Sequence, residues 1–323
     1  MHWLFTVPRL LRERGILGMN RRNAACILDH NPRALLPLVD DKLRMAALCR
    51  RIRVPTPTVY GTIDCHSLLH RFPECLNGRC DFVIKPSRGS AGRGVLVLVG
   101  ASGRDYVRHN GEEMRREQVK QHLSDILSGM YSLGGRPDRA IFQQRIRLHP
   151  LFADISFQGI PDIRVILYRG EPAMAMLRLP TKASNGRANL HQGGIGTGID
   201  LATGVTHHAV QSNRLIERHP DTGLQLVGLH IPQWQQVLTI ARRAAEAVGL
   251  GYIGVDIVLD EMEGPMLLEA NARPGLAIQI ANGRGLLPAL RAIDEMLDTT
   301  RILQGRVVVR ERAEAPQSLQ NSA

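Results

Sequence analysis

The stretch Asp81-Phe-Val-Ile-Lys-Pro-Ser-Arg-Gly-Ser-Ala-Gly-Arg-Gly-Val-Leu-Val-Leu98 sets a lysine at the end of an apolar run, then a glycine-rich turn, then a second apolar run. That order suits a hairpin closing over a polyphosphate. Gly89, Gly92 and Gly94 let backbone N–H groups reach phosphate oxygens with no Cβ in the way, and Lys85 supplies a fixed positive charge. The same residues also describe a surface hairpin whose glycines serve only the turn.

A second constellation lies downstream. Asp256 falls in one apolar run, and Glu269 and Asn271 fall in the next. Residues two apart on a strand point the same way, so Glu269 and Asn271 project together, and a neighbouring strand can set Asp256 beside them. Three hard oxygen donors suit Mg²⁺, whose shell is completed by waters and substrate phosphates. Ile253, Val255, Ile257, Val258, Leu267 and Leu268 imply buried strands, where unpaired carboxylates are costly, so ligation is favoured over a solvated hairpin. Between the two sets, the loop Leu179–Gly198 offers Lys182, Arg187, Asn189 and His191 to anionic oxygens. Its Gly193, Gly194, Gly196 and Gly198 lack the dinucleotide spacing and read equally well as a flexible exposed loop.

The elements that must carry these groups are legible in outline. Asp40 and Asp41 resemble an N-cap and first-turn acid for a helix over Lys42 to Arg51, which Pro55 and Pro57 end. A strand follows around Thr58 to Ile63. Val119, Leu123, Ile126, Leu127 and Met130 recur at helical spacing, predicting a helix from about Met114 to Ser132 with that stripe in the core. Strands are expected at Ala140–Ile146, Asp162–Tyr168 and Glu171–Leu179. Trp234 to Val248 reads as a helix ended by Gly249, and strands near Tyr252 to Leu259 and Pro265 to Ala270 follow it. The mixture is α+β with hairpins, not an alternating doubly wound sheet.

Composition bounds the function. Of 323 residues, 41 are Lys or Arg and 30 Asp or Glu, a net charge of +11 that attracts anions. Aromatics are only 4% and no basic run is interleaved with them, which argues against a nucleic-acid stacking platform. No apolar run is long enough to cross a bilayer. The basic, apolar start around Trp3, Leu4, Phe5 and Arg9 to Arg14 is a candidate for peripheral membrane contact, although such stripes more often pack on their own domain. The five cysteines show neither a disulfide framework nor zinc spacing, which fits a reducing cytoplasm. Residues after about Glu311 read as a polar, unstructured tail.

Taken in order, Lys42 in Asp-Asp-Lys-Leu, Lys85 with its Gly-Ser-Ala-Gly-Arg-Gly loop, Phe142-Gln-Gln-Arg-Ile146, Asp162-Ile-Arg164, Arg187-Ala-Asn-Leu-His-Gln-Gly-Gly194, Asp256 and Glu269-Ala-Asn-Ala-Arg-Pro-Gly275 resemble the motifs of an ATP-grasp ligase. The resemblance spans roughly Asp40 to Leu290. The Asn-Leu-His-Gln-Gly-Gly run is similar to glutamate ligases that extend ribosomal-protein or cofactor tails. Gly15-Ile-Leu-Gly-Met-Asn-Arg-Arg-Asn23 resembles the α-L-glutamate ligase-like, sugar-transferase-associated branch. The fold implied is α+β, two subdomains gripping ATP: 41–140 with the glycine-rich lid and 141–300 with the metal site, between a helical segment over 1–40 and a tail over 301–323. About forty residues before Lys42 stand where the family usually has a full Rossmann-like domain.

Roles follow from the resemblance. Lys42 and Lys85 would hold ATP phosphates under a lid of Ser90, Ala91, Gly92, Arg93 and Gly94. Gln144, Arg145 and Ile146 would form the hinge strand at adenine, with Gln144 where related ligases often place an acid. Asp162 and Asn189 would lie near the nucleotide, and Arg187 would steady the transferring phosphoryl group. Asp256, Glu269 and Asn271 would bind magnesium, as two ions about 3.5–4 Å apart, with Mn²⁺ as a substitute. The implied reaction is amide or peptide-bond formation through an acyl phosphate, joining small-molecule or peptide carboxylates and amines, glutamate among them. The same fold also serves small-molecule kinases, and a non-catalytic ATP-binding scaffold of an envelope or polysaccharide system is the alternative from another class.

Overall fold

A computed structural model describes residues 9–89, 92–103 and 105–313. The expectations for Trp3 to Phe5, for the end of the tail, and for Ser90 and Ala91 fall outside these residues. Helix α1 spans Lys42–Arg51 as expected, but its N-cap is Asp41 and not Asp40: the Asp41 side chain accepts from the Leu43 and Arg44 N–H groups, and Asp40 ends the preceding short helix Leu36–Asp40. Six strands then form an antiparallel sheet: β1 (Val59–Ile63), β2 (Asp81–Pro86), β3 (Leu96–Ser102), β4 (Asp105–Arg108), β5 (Glu113–Met114) and β6 (Ala140–Gln143), in the order β1-β6-β2-β3-β4-β5. Helix α2 (Arg116–Leu127) covers one face, packing Val119, Leu123 and Ile126 onto Phe72, Phe82 and Phe142. Side chains alternate along β2, so Phe82 and Ile84 enter this core while Lys85 leaves by the opposite face.

The second sheet is seven-stranded: β7 (Asp162–Tyr168), β8 (Glu171–Leu179), β9 (Ile195–Ile199), β10 (Thr206–Gln211), β11 (Arg214–Leu215), β12 (Tyr252–Asp260) and β13 (Gly264–Asn271), in the order β11-β10-β9-β8-β7-β12-β13. On one face Ile163, Val165, Leu167, Val255 and Ile257 meet Val237, Ile240, Ala241 and Ala244 of helix α3 (Trp234–Val248), and Met45, Leu48 and Cys49 of α1 join the same core. The opposite face is divided. Its lower part, with Ile166, Tyr168, Met174, Met176 and Tyr252, is covered by Leu17, Cys26, Ile27 and the start of helix α4 (Leu287–Ala313). Its upper part carries charge.

Three expectations need correction. Helix α2 is shorter than its stripe implied, because Ser128 caps it and Gly129 turns left-handed at φ 82°. Met130, beyond that turn, is 64% exposed and is not core. Gly196 and Gly198 belong to the wholly buried strand β9, not to a flexible loop; Leu190 and the Ala281 carbonyl lie where their Cβ atoms would stand. Finally, α4 runs to Ala313, three residues into the stretch expected to be unstructured from about Glu311. The five cysteines are free in the structure. Among the described residues no helix is long and apolar enough to cross a membrane.

Candidate active site

The N-terminus of α1 is bound to the base of the glycine loop. Besides capping its helix, Asp41 accepts from Ser87 Oγ at 2.9 Å and Arg139 Nη2 at 2.7 Å. Burial would raise its carboxyl pKa, but the Ser87 hydroxyl, the helix N–H groups and Arg139 outweigh it and hold it below the usual range. Lys42 donates its backbone N–H to the Ser87 carbonyl at 3.1 Å and its Nζ to the Gly89 carbonyl at 2.6 Å. The same Nζ is 3.7 Å from Glu269 Oε1. Asp138 steadies the loop from the other side, accepting from the Arg88 N–H at 2.9 Å.

Lys42, Lys85 and Glu269 therefore converge on one cleft between the sheets, with Val39, Met45, Ile141, Leu267 and Leu268 among its walls. Lys85 is 7% exposed. Burial pushes its pKa down to about 8, Lys42 adding to the fall and Glu269 opposing it. A cationic Lys85 is thus poised for an anion. Because the folded pKa lies below the ordinary lysine value of 10.5, the unfolded chain holds the extra proton between the two, and Lys85 adds stability as pH rises from about 8 toward 10.5. Nucleotide binding has the opposite sign. Metal-free ATP affinity is expected to fall as pH passes about 8, with up to one proton taken up per nucleotide bound. Calorimetry in buffers of different ionisation enthalpy measures that uptake, and a flat pH profile would place Lys85 away from the phosphates.

On the upper face of the second sheet, Asp162 and Arg164 of β7, Arg178 of β8 and Asp256 of β12 form one buried array. Arg164 donates Nε and Nη2 to the two oxygens of Asp256 at 2.7 and 2.6 Å, and Arg178 Nη2 donates to Asp256 Oδ2 at 2.7 Å. Arg178 also clasps Asp162 through Nε and Nη2. Burial raises the Asp256 carboxyl, yet the two guanidiniums outweigh it and keep it ionised. Asp162 has one arginine and a carboxylate neighbour, and burial pushes it up to about 6.

The register sets Asp256 opposite Glu269 and Gly254 opposite Asn271, so Asp256, Glu269 and Asn271 share a face. Their oxygens are otherwise committed to different degrees. Asp256 is filled by arginine N–H groups, Asn271 Oδ1 accepts from the Arg273 N–H at 2.8 Å, and the Glu269 side chain is 38% exposed to the cleft. Among the described residues no three His, Cys, Asp or Glu side chains are grouped to hold a metal alone. The all-oxygen set fits a hard cation whose shell is completed by Asn271 and phosphates, provided Asp256 exchanges an arginine for it.

The remaining predicted residues are placed differently. Gln144 turns away from the cleft, its amide oxygen accepting from the Thr58 N–H at 3.0 Å, while the neighbouring Gln143 lines the cleft. Arg145 pairs with Asp81, and Ile146 packs on Val258 and Met266. Gly92 and Gly94 are left-handed at φ 70° and 73°, with the Tyr131 ring against Gly94; Arg93 is exposed. Arg187 is exposed on its loop, and Asn189 turns its side chain inward to accept from the His191 N–H. Sequence reasoning missed Asp41 as a loop anchor and Arg164 and Arg178 as partners of the acids. The signal for Arg178 was a lone cation inside the apolar run Met174–Leu179, which burial obliges to find a carboxylate.

Two antiparallel sheets closing on a cleft, lysines on one wall and an acid-bearing strand on the other, define an ATP-grasp protein. The model of the sugar-transfer associated ATP-grasp family matches residues 21–295, and the chain belongs to that family. No protein of curated function matches its sequence. Similar solved structures include the ATP-grasp ligase PsnB with its minimal precursor, at 15% identity and TM-score 0.43, covering 83% of this chain and 63% of that one. D-cycloserine synthetase DcsG aligns at 16% identity and TM-score 0.46, over 82% of this chain and 73% of that one. D-alanyl-alanine synthetase A from Vibrio cholerae aligns at 11% identity and TM-score 0.46, over 78% and 62%. The chain thus spans under two thirds of PsnB.

Proposed function

We propose that the protein is an ATP- and Mg²⁺-dependent carboxylate–amine ligase that joins an amino acid, glutamate by the resemblance, to an acceptor. The convergence of Lys42, Lys85 and Glu269 on one cleft is the observation that carries this reading. Lys42 and Lys85 hold the nucleotide phosphates, and the loop through Gly92 and Gly94 covers them. A carboxylate oxygen of the substrate attacks the γ-phosphorus and the bond to the ADP oxygen breaks. An amine nitrogen then attacks the acyl carbon, inorganic phosphate leaves, and the nitrogen loses a proton. Arg164, Arg178 and Arg187 steady the negative charge on the transferring group, so catalysis rests on positioning and electrostatics with no covalent enzyme nucleophile.

Asp256, Glu269 and Asn271 would hold magnesium. Bound there, the metal neutralises phosphate charge. Purified protein with ATP, Mg²⁺ and an amino-acid and peptide panel is expected to release phosphate and form an amide visible by mass spectrometry. Glu269→Gln, which keeps the shape and removes the charge, is expected to lower that release at least 100-fold, in line with the loss of a charge-stabilising group. ATP binding without phosphate release across the panel would reject the ligase reading. A product that retains phosphate would mark a kinase instead.

A further inference from the structure

The segment Gly15–Asn31 is tied to the start of β12, to the residues that follow β13, and to the short helix at Gln279. Leu17 N–H donates to Gln279 Oε1 at 2.8 Å and Gln279 Nε2 returns a bond to the Leu17 carbonyl at 3.1 Å. Asn31 exchanges bonds with the Tyr252 backbone at 2.7 and 2.8 Å and reaches the Ala272 carbonyl at 3.3 Å. Between these ties, Arg22 Nη1 donates to the Pro274 carbonyl at 3.0 Å, and its Nε and Nη2 donate to Asn23 Oδ1 at 3.1 and 2.7 Å.

Pro274 directly follows Arg273, which is exposed. Among the described residues neither Arg22 nor Arg273 forms an ion pair, although others at the site do. Neutral acceptors take some of the Arg22 N–H donors and leave others uncommitted. A half-buried guanidinium with only neutral acceptors keeps its unbalanced charge, and an anion would relieve it. Its place is specific. Pro274 is three residues beyond Asn271, so the two lie within about 11 Å along the backbone.

Building on the ligase reading, we propose that Arg22, supplied by the N-terminal segment, and Arg273 hold an anionic group of the non-nucleotide substrate. That anion is separate from the carboxylate being activated, since it sits beyond the end of the metal strand. The substrate is then an acid or amine that carries a second carboxylate or a phosphate. Arg22 acts as a specificity residue, and the N-terminal segment forms part of the substrate wall.

Calorimetric titration of protein loaded with Mg²⁺ and a non-hydrolysable ATP analogue tests this, using inorganic phosphate in one arm and glutarate in the other. The loaded nucleotide occupies the phosphate site, so binding reports a second one. Saturable binding is expected, weakened at least fivefold in Arg22→Gln and in Arg273→Gln and partly kept in Arg22→Lys, with nucleotide affinity unchanged. Arg9→Gln, which alters an exposed arginine paired with Glu13, serves as the control and is expected to bind like wild type. Tighter phosphate binding assigns a phosphorylated substrate; tighter glutarate binding assigns a dicarboxylate. Absence of saturable binding in both arms, or equal binding in Arg22→Gln, overturns the proposal. Failure of the ligase reading would show separately, as absent phosphate release with this binding intact.

Discussion

Replacing Lys85 by methionine is expected to lower ATP-dependent phosphate release by about 10²–10³-fold while leaving the fold at least as stable. Methionine keeps the unbranched length and fills the same buried space. It removes a cation that burial and Lys42 already disfavour, so the loss of activity is not a loss of folding. Thermal melting and steady-state phosphate release on the same sample separate the two. A variant that melts early would show that the Lys85 charge is structural, and one that keeps full activity would remove it from the phosphate site.

Arg178→Met carries the largest expected cost in stability, about 3–5 kcal/mol, because among the described residues it removes the one arginine hydrogen-bonded to Asp162 and one of the two on Asp256, leaving buried carboxylates face to face. The cost depends on pH. Asp162 is already pushed up to about 6, and losing Arg178 moves it further the same way. A carboxyl raised in the folded state binds more protons there than in the unfolded chain, so the deficit shrinks as pH falls through its folded value. Adding Asp162→Leu is expected to restore much of the loss by removing the unpaired acid with its partner. Urea unfolding at pH 5 and 8 measures both effects, and a single variant within 1 kcal/mol of wild type would show that the array contributes little.

Much of this arrangement is legible in the sequence. The hairpin around Lys85, the cap before Lys42 and the strands Asp162–Tyr168 and Glu171–Leu179 follow from local rules, since turn chemistry, capping and alternation act within a few residues. What stayed hidden depends on pairing across the chain. Nothing near Asp41 announces that Ser87 and Arg139 will meet it, and nothing near Gln144 shows that Thr58 will claim its amide. The glycines of β9 look like a loop because a strand pressed against a helix backbone needs the same missing side chain as a turn. Met130 misled because helical spacing continues for one turn past the residue that ends the helix.

Helix α1 belongs to two bodies at once. Its buried side packs Met45, Leu48 and Cys49 into the core of the seven-stranded sheet, while its first residues grip Ser87 and Gly89 of the other sheet's loop. An axle of this kind limits how the jaws can part. The root of the loop at Ser87 and Gly89 is held to the same helix that packs under the seven-stranded sheet, so any change in the angle between the sheets must strain or turn about these few hydrogen bonds.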